Sequence, residues 1–173
     1  MRLQTIARAV SGAALMAALG TSGWIMAQSG GSTVLKPADL EKVFPATVYY
    51  CGQSAPAQLR NSGGVKFADG HYVLASLVDT SGYSTGVAAK YQGYLIAEVP
   101  LKIGGKHLPA GAYGFGFVAD DKFIVTDLGG TDVITIHSDK DEAITRPRPL
   151  EVSADSSGGF RLYAGRSYVH FDR

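Results

Sequence analysis

The sequence predicts an all-β protein: an antiparallel β-sandwich, or a partly open barrel, of about ten short strands with one short N-terminal helix, preceded by a signal peptide. Three observations favour this class. Short extended runs alternate with clusters of turn residues along the last two thirds of the chain. Within Gly111–Val118, residues 112–117 alternate strictly between small and aromatic residues, which is typical of a strand. His71–Val78 is apolar on both faces, which indicates a strand in the centre of a sheet.

Residues 1–27 have the pattern of a secretory signal peptide. Arg2 and Arg8 precede an uncharged, mostly apolar stretch, and a polar run follows Ala27. We therefore expect cleavage near Ala27 and export to the periplasm or the cell exterior. The alternative is an uncleaved membrane anchor, which would require Gly20–Gly23 to be part of the span.

The rest of the chain is predicted to form a linker and one domain. Residues 28–36 are rich in Gly and Ser and indicate a flexible linker. Residues 37–173 are enough for a single β-sandwich domain with one core. At its start, Pro37–Phe44 predicts one or two helical turns, because proline suits a first helical position and Pro45 stops the helix.

Several further segments predict strands and turns. Thr47–Cys51 is β-branched and aromatic, as expected of a strand, and Asp69-Gly70 predicts a hairpin turn. Ser62–Gly64 predicts a turn between two separate strands. Val87–Val99 fits either a helix or a bent strand, and we favour a strand over Tyr91–Val99.

The alternating segment Gly111–Val118 has two different faces. One face carries three aromatic rings and is expected to point into the core. The other carries Gly114 and Gly116. Glycine weakens a strand interior, so its presence indicates close packing against the backbone or a bend in the strand.

The segment Gly105–Tyr113 reads Gly-Lys-His-Leu-Pro-Ala-Gly-Ala-Tyr. It is similar to the Gly-Lys-x-Leu-Pro-Ala-Gly-x-Tyr run of a family of secreted bacterial proteins of unknown function (DUF2911). The resemblance covers this segment alone. It implies a β-sandwich and implies no activity.

The charge balance favours neither nucleic acid nor an anionic membrane as a partner. The chain has 16 Lys plus Arg and 15 Asp plus Glu. Without a basic excess there is no electrostatic attraction to phosphate backbones or lipid headgroups. We expect no nucleic acid partner and no membrane association after signal cleavage.

Cys51 is the single cysteine, so the chain forms no internal disulfide. We expect a buried structural thiol, because Cys51 follows a strand-like run. An intermolecular disulfide and a reactive thiol are the alternatives.

One motif indicates possible catalysis. Gly82-Tyr83-Ser84-Thr85-Gly86 matches G-x-S-x-G, in which the glycines permit a strained turn that exposes a nucleophilic serine. Ser84 is therefore the candidate nucleophile of a small serine hydrolase. The histidine would be one of three that follow it: His107, His137 and His170. Against this hypothesis, no parallel strand–helix alternation surrounds the motif.

Our leading hypothesis is a non-enzymatic binding or structural module. On such scaffolds function resides in loops, so we expect a site at Asp79–Gly86 and Ser138–Arg148, with Tyr83, Asp139 and Asp141 as binding residues. The partner would be an unknown protein or a glycan. A third hypothesis is an assembly subunit that pairs through an exposed edge strand.

The sequence predicts neither a metal site nor a cofactor. The acidic run Asp139–Glu142 lacks the glycine and the distal glutamate of a calcium loop. The histidines lack the spacing of metal ligands.

Overall fold

The structure, a computed structural model, describes residues 31–173. The predicted signal peptide and the first residues of the linker lie outside this range. The described residues form two short helices, α1 (Pro37–Leu40) and α2 (Thr85–Ala88). They also form fourteen strands: β1 (Thr33–Leu35), β2 (Thr47–Tyr50), β3 (Gln53–Lys66), β4 (Tyr72–Val78), β5 (Gly93–Ala97), β6 (Leu101–Ile103), β7 (Lys106–Leu108), β8 (Gly111–Val118), β9 (Lys122–Thr126), β10 (Asp132–His137), β11 (Asp139–Lys140), β12 (Arg148–Ala154), β13 (Phe160–Gly165) and β14 (Ser167–Asp172).

The strands form two antiparallel sheets. The large sheet has the order β1-β3-β4-β5-β8-β9-β10, and β2 pairs with β3 beside it. The small sheet has the order β12-β13-β14-β6-β7, and β11 pairs with β14. Neither sheet closes into a barrel within the described residues. The predicted antiparallel all-β fold is confirmed, with more strands than expected.

The main core lies between the two sheets. Phe115 and Phe123 of the large sheet are fully buried there, together with Leu162 and Val169 of the small sheet. The core also contains Phe171, from the last strand of the small sheet. The predicted aromatic face of β8 therefore does point into the core.

A second apolar cluster lies on the outer face of the large sheet. A hairpin formed by β2 and the beginning of β3 packs over this cluster. We call this hairpin the arm (residues 47–56). The hydroxyl oxygens of Tyr50 in the arm and Thr126 in β9 are 2.7 Å apart. At the tip of the arm, the Cys51 amide donates a hydrogen bond to the Leu128 carbonyl at 2.9 Å. Because Leu128 follows β9, the arm spans most of the width of the large sheet.

The glycines of β8 provide the space for this cluster. A Cβ atom at Gly114 would lie 2.5 Å from a ring carbon of Tyr50 and 2.9 Å from one of Tyr91. A Cβ atom at Gly116 would lie 2.2 Å from the Lys90 carbonyl oxygen. The prediction of close packing against the glycine face is confirmed.

The predicted turn at Ser62–Gly64 is wrong, because these residues lie inside the continuous strand β3. The register with β4 shifts between Gln58 and Ser62, so the strand bulges at this point instead of turning back. At Gly63 the backbone of β3 packs closely against the small sheet: a Cβ atom there would lie 2.8 Å from the Val152 nitrogen of β12. Gly63 thus permits contact between the two sheets.

The tip of the arm also differs from the prediction. Cys51 was predicted as the end of a strand, but it forms the turn together with Gly52. Both residues have positive φ, 47° and 84°, as the two-residue turn that fits the twist of a hairpin requires. Cys51 is half-buried.

The ambiguous segment contains a helix end and a strand. The single-turn helix α2 covers its first residues, and β5 covers Gly93–Ala97. The strand is therefore shorter at both ends than the Tyr91–Val99 predicted. The sequence predicted only the N-terminal helix; α2 is an addition.

Candidate functional site

A cavity of about 270 Å³ lies against the outer face of the small sheet. Its lining combines residues of β12 and β13 with the loop that precedes β12: Asp141, Ile144, Arg148, Glu151, Ser153, Tyr163 and Gly165. It therefore contains Asp141, one of the binding residues predicted from the sequence.

A second cavity, of about 190 Å³, lies next to the first. It is lined by β12 on one side and by β1, the start of α1 and Gly63 of β3 on the other. Arg148 and Glu151 line both cavities. We call the two cavities together the β12 groove.

The alternation of β12 explains which of its side chains reach the first cavity. Leu150 and Val152 point into the core, where they are buried. Glu151 and Ser153 therefore point to the outer face. Across the ladder, Glu151 is the direct partner of Tyr163, so these two side chains share that face.

A hydrogen-bonded network holds the floor of the first cavity. The Tyr163 hydroxyl donates to Asp141 Oδ2 at 3.1 Å and accepts from Arg161 Nη1 at 3.3 Å. Arg161 Nε in turn donates to Asp155 Oδ2 at 2.6 Å. The Arg161 guanidinium also lies over the Tyr168 ring, 4.5 Å from its centroid. Each polar group of this network thus has a fixed partner.

The electrostatics of the network favour its charged form. The backbone amide of Ser157 and the Arg161 guanidinium lower the pKa of Asp155 to about 2. The hydroxyl of Tyr163 and the carboxylate of Asp155 raise the pKa of Arg161 further above its ordinary value. The ion pair is therefore complete at neutral pH.

Backbone contacts attach the loop of the first cavity to the β13–β14 hairpin. The Asp141 amide donates to the Arg166 carbonyl at 2.9 Å. The Arg166 side chain donates back to the Ile144 carbonyl at 3.0 Å. Since Asp141 and Ile144 both line the cavity, these bonds fix its loop side.

The structure separates the three predicted binding residues. Asp141 lines the β12 groove, and Asp139 is exposed on β11 outside the groove lining. Tyr83 lies in the cluster on the outer face of the large sheet. Tyr83 is half-buried there, and its hydroxyl lies 3.2 Å from both the Tyr50 and the Gln53 carbonyl oxygens, which share its single proton.

Ser84 lies at the N-cap of α2. Its hydroxyl accepts a hydrogen bond from the Val87 amide at 3.4 Å. In the described part of the chain, no hydrogen bond joins Ser84 to a histidine. Ser84 as a catalytic nucleophile stays a prediction, and its observed contact is that of a helix cap.

Sequence reasoning missed three polar residues of the first cavity: Glu151, Ser153 and Tyr163. Arg148 is the last residue of the predicted site loop Ser138–Arg148. The Tyr163 hydroxyl is engaged by Asp141 and Arg161. The available signal was the polar alternation of β12 and β13. That pattern places polar side chains on one face without showing that a loop covers them.

The described residues contain neither a cluster of metal ligands nor a helix that could span a membrane. Among residues 31–173, no group of three or more His, Cys, Asp and Glu side chains is placed to hold a metal ion. Of the helices in the same range, none has the length and apolar character needed to cross a membrane.

Comparisons of the chain with protein-family models, curated proteins and solved structures gave no match. The segment similar to the secreted family, Gly105–Tyr113, forms β7 and the start of β8. Membership of that family stays a prediction.

Proposed function

We propose that the protein is an exported, non-enzymatic binding module whose ligand occupies the β12 groove. The observation that supports this function is the groove itself, with two adjoining cavities next to a network of fixed side chains. Sites on the strands of a rigid scaffold hold their geometry better than sites on free loops. A ligand would then bind without a large cost of ordering the protein.

The state of the acidic residues favours binding over proton transfer. Asp141 accepts from the Tyr163 hydroxyl, and Glu151 lies 3.6 Å from the Arg148 guanidinium. Carboxylate oxygens carry several lone pairs, so both side chains can accept further hydrogen bonds from a ligand. None of the groove residues combines a nucleophile with an adjacent histidine base.

Ligand-observed NMR with a fragment set of cations, anions, zwitterions and neutral polyols tests this function. We expect fragments of at least one class to bind the wild-type protein. Their binding signal should disappear with Ser153→Trp, because the tryptophan fills the first cavity. Glu151→Ala, which removes a lining group without adding bulk, is a second variant in case the tryptophan disturbs folding. Thr135→Trp, at an exposed position of β10, is the matched control.

Two results would contradict the groove function. One is the absence of binding by every class to folded protein. The other is binding that persists equally in both groove variants. Export has its own test. The protein recovered from the culture should have the mass of a chain that begins near Gln28, as cleavage near Ala27 predicts.

A second candidate function is assembly through the edge of the large sheet. In the described residues β10 has a strand neighbour on one side only, β9. Val133 of β10 is 45% exposed, which is unusual for a large apolar side chain. Sedimentation velocity over a range of concentrations tests it: we expect assembly to raise the sedimentation coefficient with concentration, and Val133→Lys to abolish that rise. A coefficient that does not change with concentration would exclude this function.

A further inference from the structure

We propose that the β12 groove binds a neutral glycan through at least two adjacent sugar units, an inference that rests on the binding function proposed above. It identifies the chemical class of the ligand from the size, the charge and the backbone of the groove.

The size of the cavities indicates a ligand made of small linked units. The two volumes are about 270 and 190 Å³. Each is smaller than the roughly 300–1,000 Å³ that encloses a whole drug-sized molecule. Because the cavities share Arg148 and Glu151, one chain of small units can occupy both.

The charge of the groove favours a neutral ligand. Its lining carries two basic side chains, Lys36 and Arg148, and two acidic ones, Asp141 and Glu151. The formal charges cancel, so neither an anion nor a cation is attracted over the other.

The polar groups suit the hydroxyl groups of sugars. A hydroxyl both donates and accepts, so vicinal hydroxyls can donate to a carboxylate and accept from a guanidinium at the same time. Arg148 and Glu151 offer this pair of groups at the boundary between the cavities. Hydrogen bonds to charged partners are roughly twice as strong as those between neutral groups. Ile144 in the first cavity and Leu35 in the second offer apolar contact to the C–H faces of a sugar ring.

The backbone of β12 disfavours a peptide. A peptide would bind here most simply by adding a strand to the edge of β12. Pro149 lies within β12 and has no amide hydrogen, and the register shifts between Arg148 and Glu151. Both features interrupt the ladder that strand addition needs.

A glycan array tests the inference, using neutral glycans, uronic-acid and sialylated glycans, and peptides as separate groups. We expect retention of neutral glycans alone. Calorimetry with the mono-, di- and tetrasaccharide of the retained type should then show that the affinity rises about tenfold from one sugar unit to two, equal to about 1.4 kcal/mol. We expect little further rise in affinity for the tetrasaccharide. Retention of the polymer without measurable binding of the disaccharide would overturn the two-unit site.

Variants connect the binding to the groove. Glu151→Gln keeps the shape of the side chain and removes its charge, so we expect it to weaken disaccharide binding about tenfold. Asp120→Asn removes a charge from the exposed turn between β8 and β9, outside the groove lining, and should leave binding unchanged.

The failure of this inference can be told from failure of the binding function. If charged glycans or peptides bind and lose affinity with Ser153→Trp, the neutral-glycan inference is overturned and the binding function stands. If no group binds in a way that depends on the groove, both are overturned.

Discussion

Gly114 lies beneath two stacked aromatic rings. The rings of Tyr50 and Tyr91 are 3.7 Å apart at their centroids and nearly parallel. Tyr91 is fully buried, and burial raises the pKa of its phenol above the ordinary value. This stacking brings the rings so close to β8 that no side chain fits at Gly114.

Replacing Gly114 by alanine should destabilise the protein by about 1–3 kcal/mol, because the added methyl group overpacks the tyrosine cluster. Urea unfolding monitored by tyrosine fluorescence measures the change. Gly82→Ala is the control, since no atom lies within 4 Å of a Cβ atom built at Gly82. Equal stability of the two variants would show that the cluster relaxes around the methyl group.

Ser84→Ala should lower the free energy of unfolding by about 0.5–2 kcal/mol, the usual range for the loss of an N-cap hydrogen bond. The observed bond to the Val87 amide is long, so we expect the lower end of this range. A fluorophosphonate probe should label neither the wild-type protein nor the variant. Labelling that requires Ser84 would instead support the hydrolase hypothesis.

Among the elements, β8 extends beyond the end of its neighbour β5. A side chain completes the pairing there: Gln92 Nε2 donates to the Phe117 carbonyl at 2.9 Å, and the Phe117 amide donates to Gln92 Oε1 at 3.0 Å. The primary amide of Gln92 therefore replaces one residue of strand.

Gln92→Ala should expose this pair of backbone groups, at a cost of about 1–3 kcal/mol for the unsatisfied polar groups. The specific readout is faster hydrogen exchange at the Phe117 amide. Gln53→Ala is the matched control, because the Gln53 amide bonds to the Gly82 carbonyl on the surface. Unchanged exchange at Phe117 in the Gln92 variant would contradict the role assigned to this side chain.

Elements that depend on local alternation could be predicted, and those that depend on distant contacts could not. β4 and β8 follow from residues within each strand. The strand through Ser62–Gly64 could not be predicted, because Gly63 packs against Val152 of β12, about ninety positions away in the sequence. The groove is similar: Asp141 was identified in its loop, but Glu151 and Tyr163 become site residues only when the loop folds over their sheet.

At the scale of the molecule, two carboxylates make the stability of the fold depend on pH. Arg173 and the His71 amide lower the pKa of Asp69 to about 2, and the Ser157 amide and Arg161 do the same for Asp155. Both values lie below the roughly 3.9 of an unfolded aspartate. The folded state is therefore favoured above about pH 4, and this stabilisation is lost as the pH falls towards 2.

Asp155→Asn should reduce the loss of thermal stability between pH 5 and pH 2. Asparagine can still accept from the Ser157 amide, but its protonation does not change with pH. Melting temperatures across this range, for the wild-type protein and the variant, measure the difference. Asp139→Asn is the control, and parallel melting curves for all three proteins would contradict the assigned linkage.

The arm has a consequence for the order in which the molecule folds. Tyr50 and its partner Thr126 are 76 positions apart, so the arm can dock only after β8 and β9 exist. At about 5–20 residues per second, synthesis of that interval takes roughly 4 to 15 seconds. For this time the apolar side of the arm lacks the part of its packing surface that β8 and β9 provide. The incomplete chain thus has an interval of vulnerability to aggregation that the finished molecule does not have.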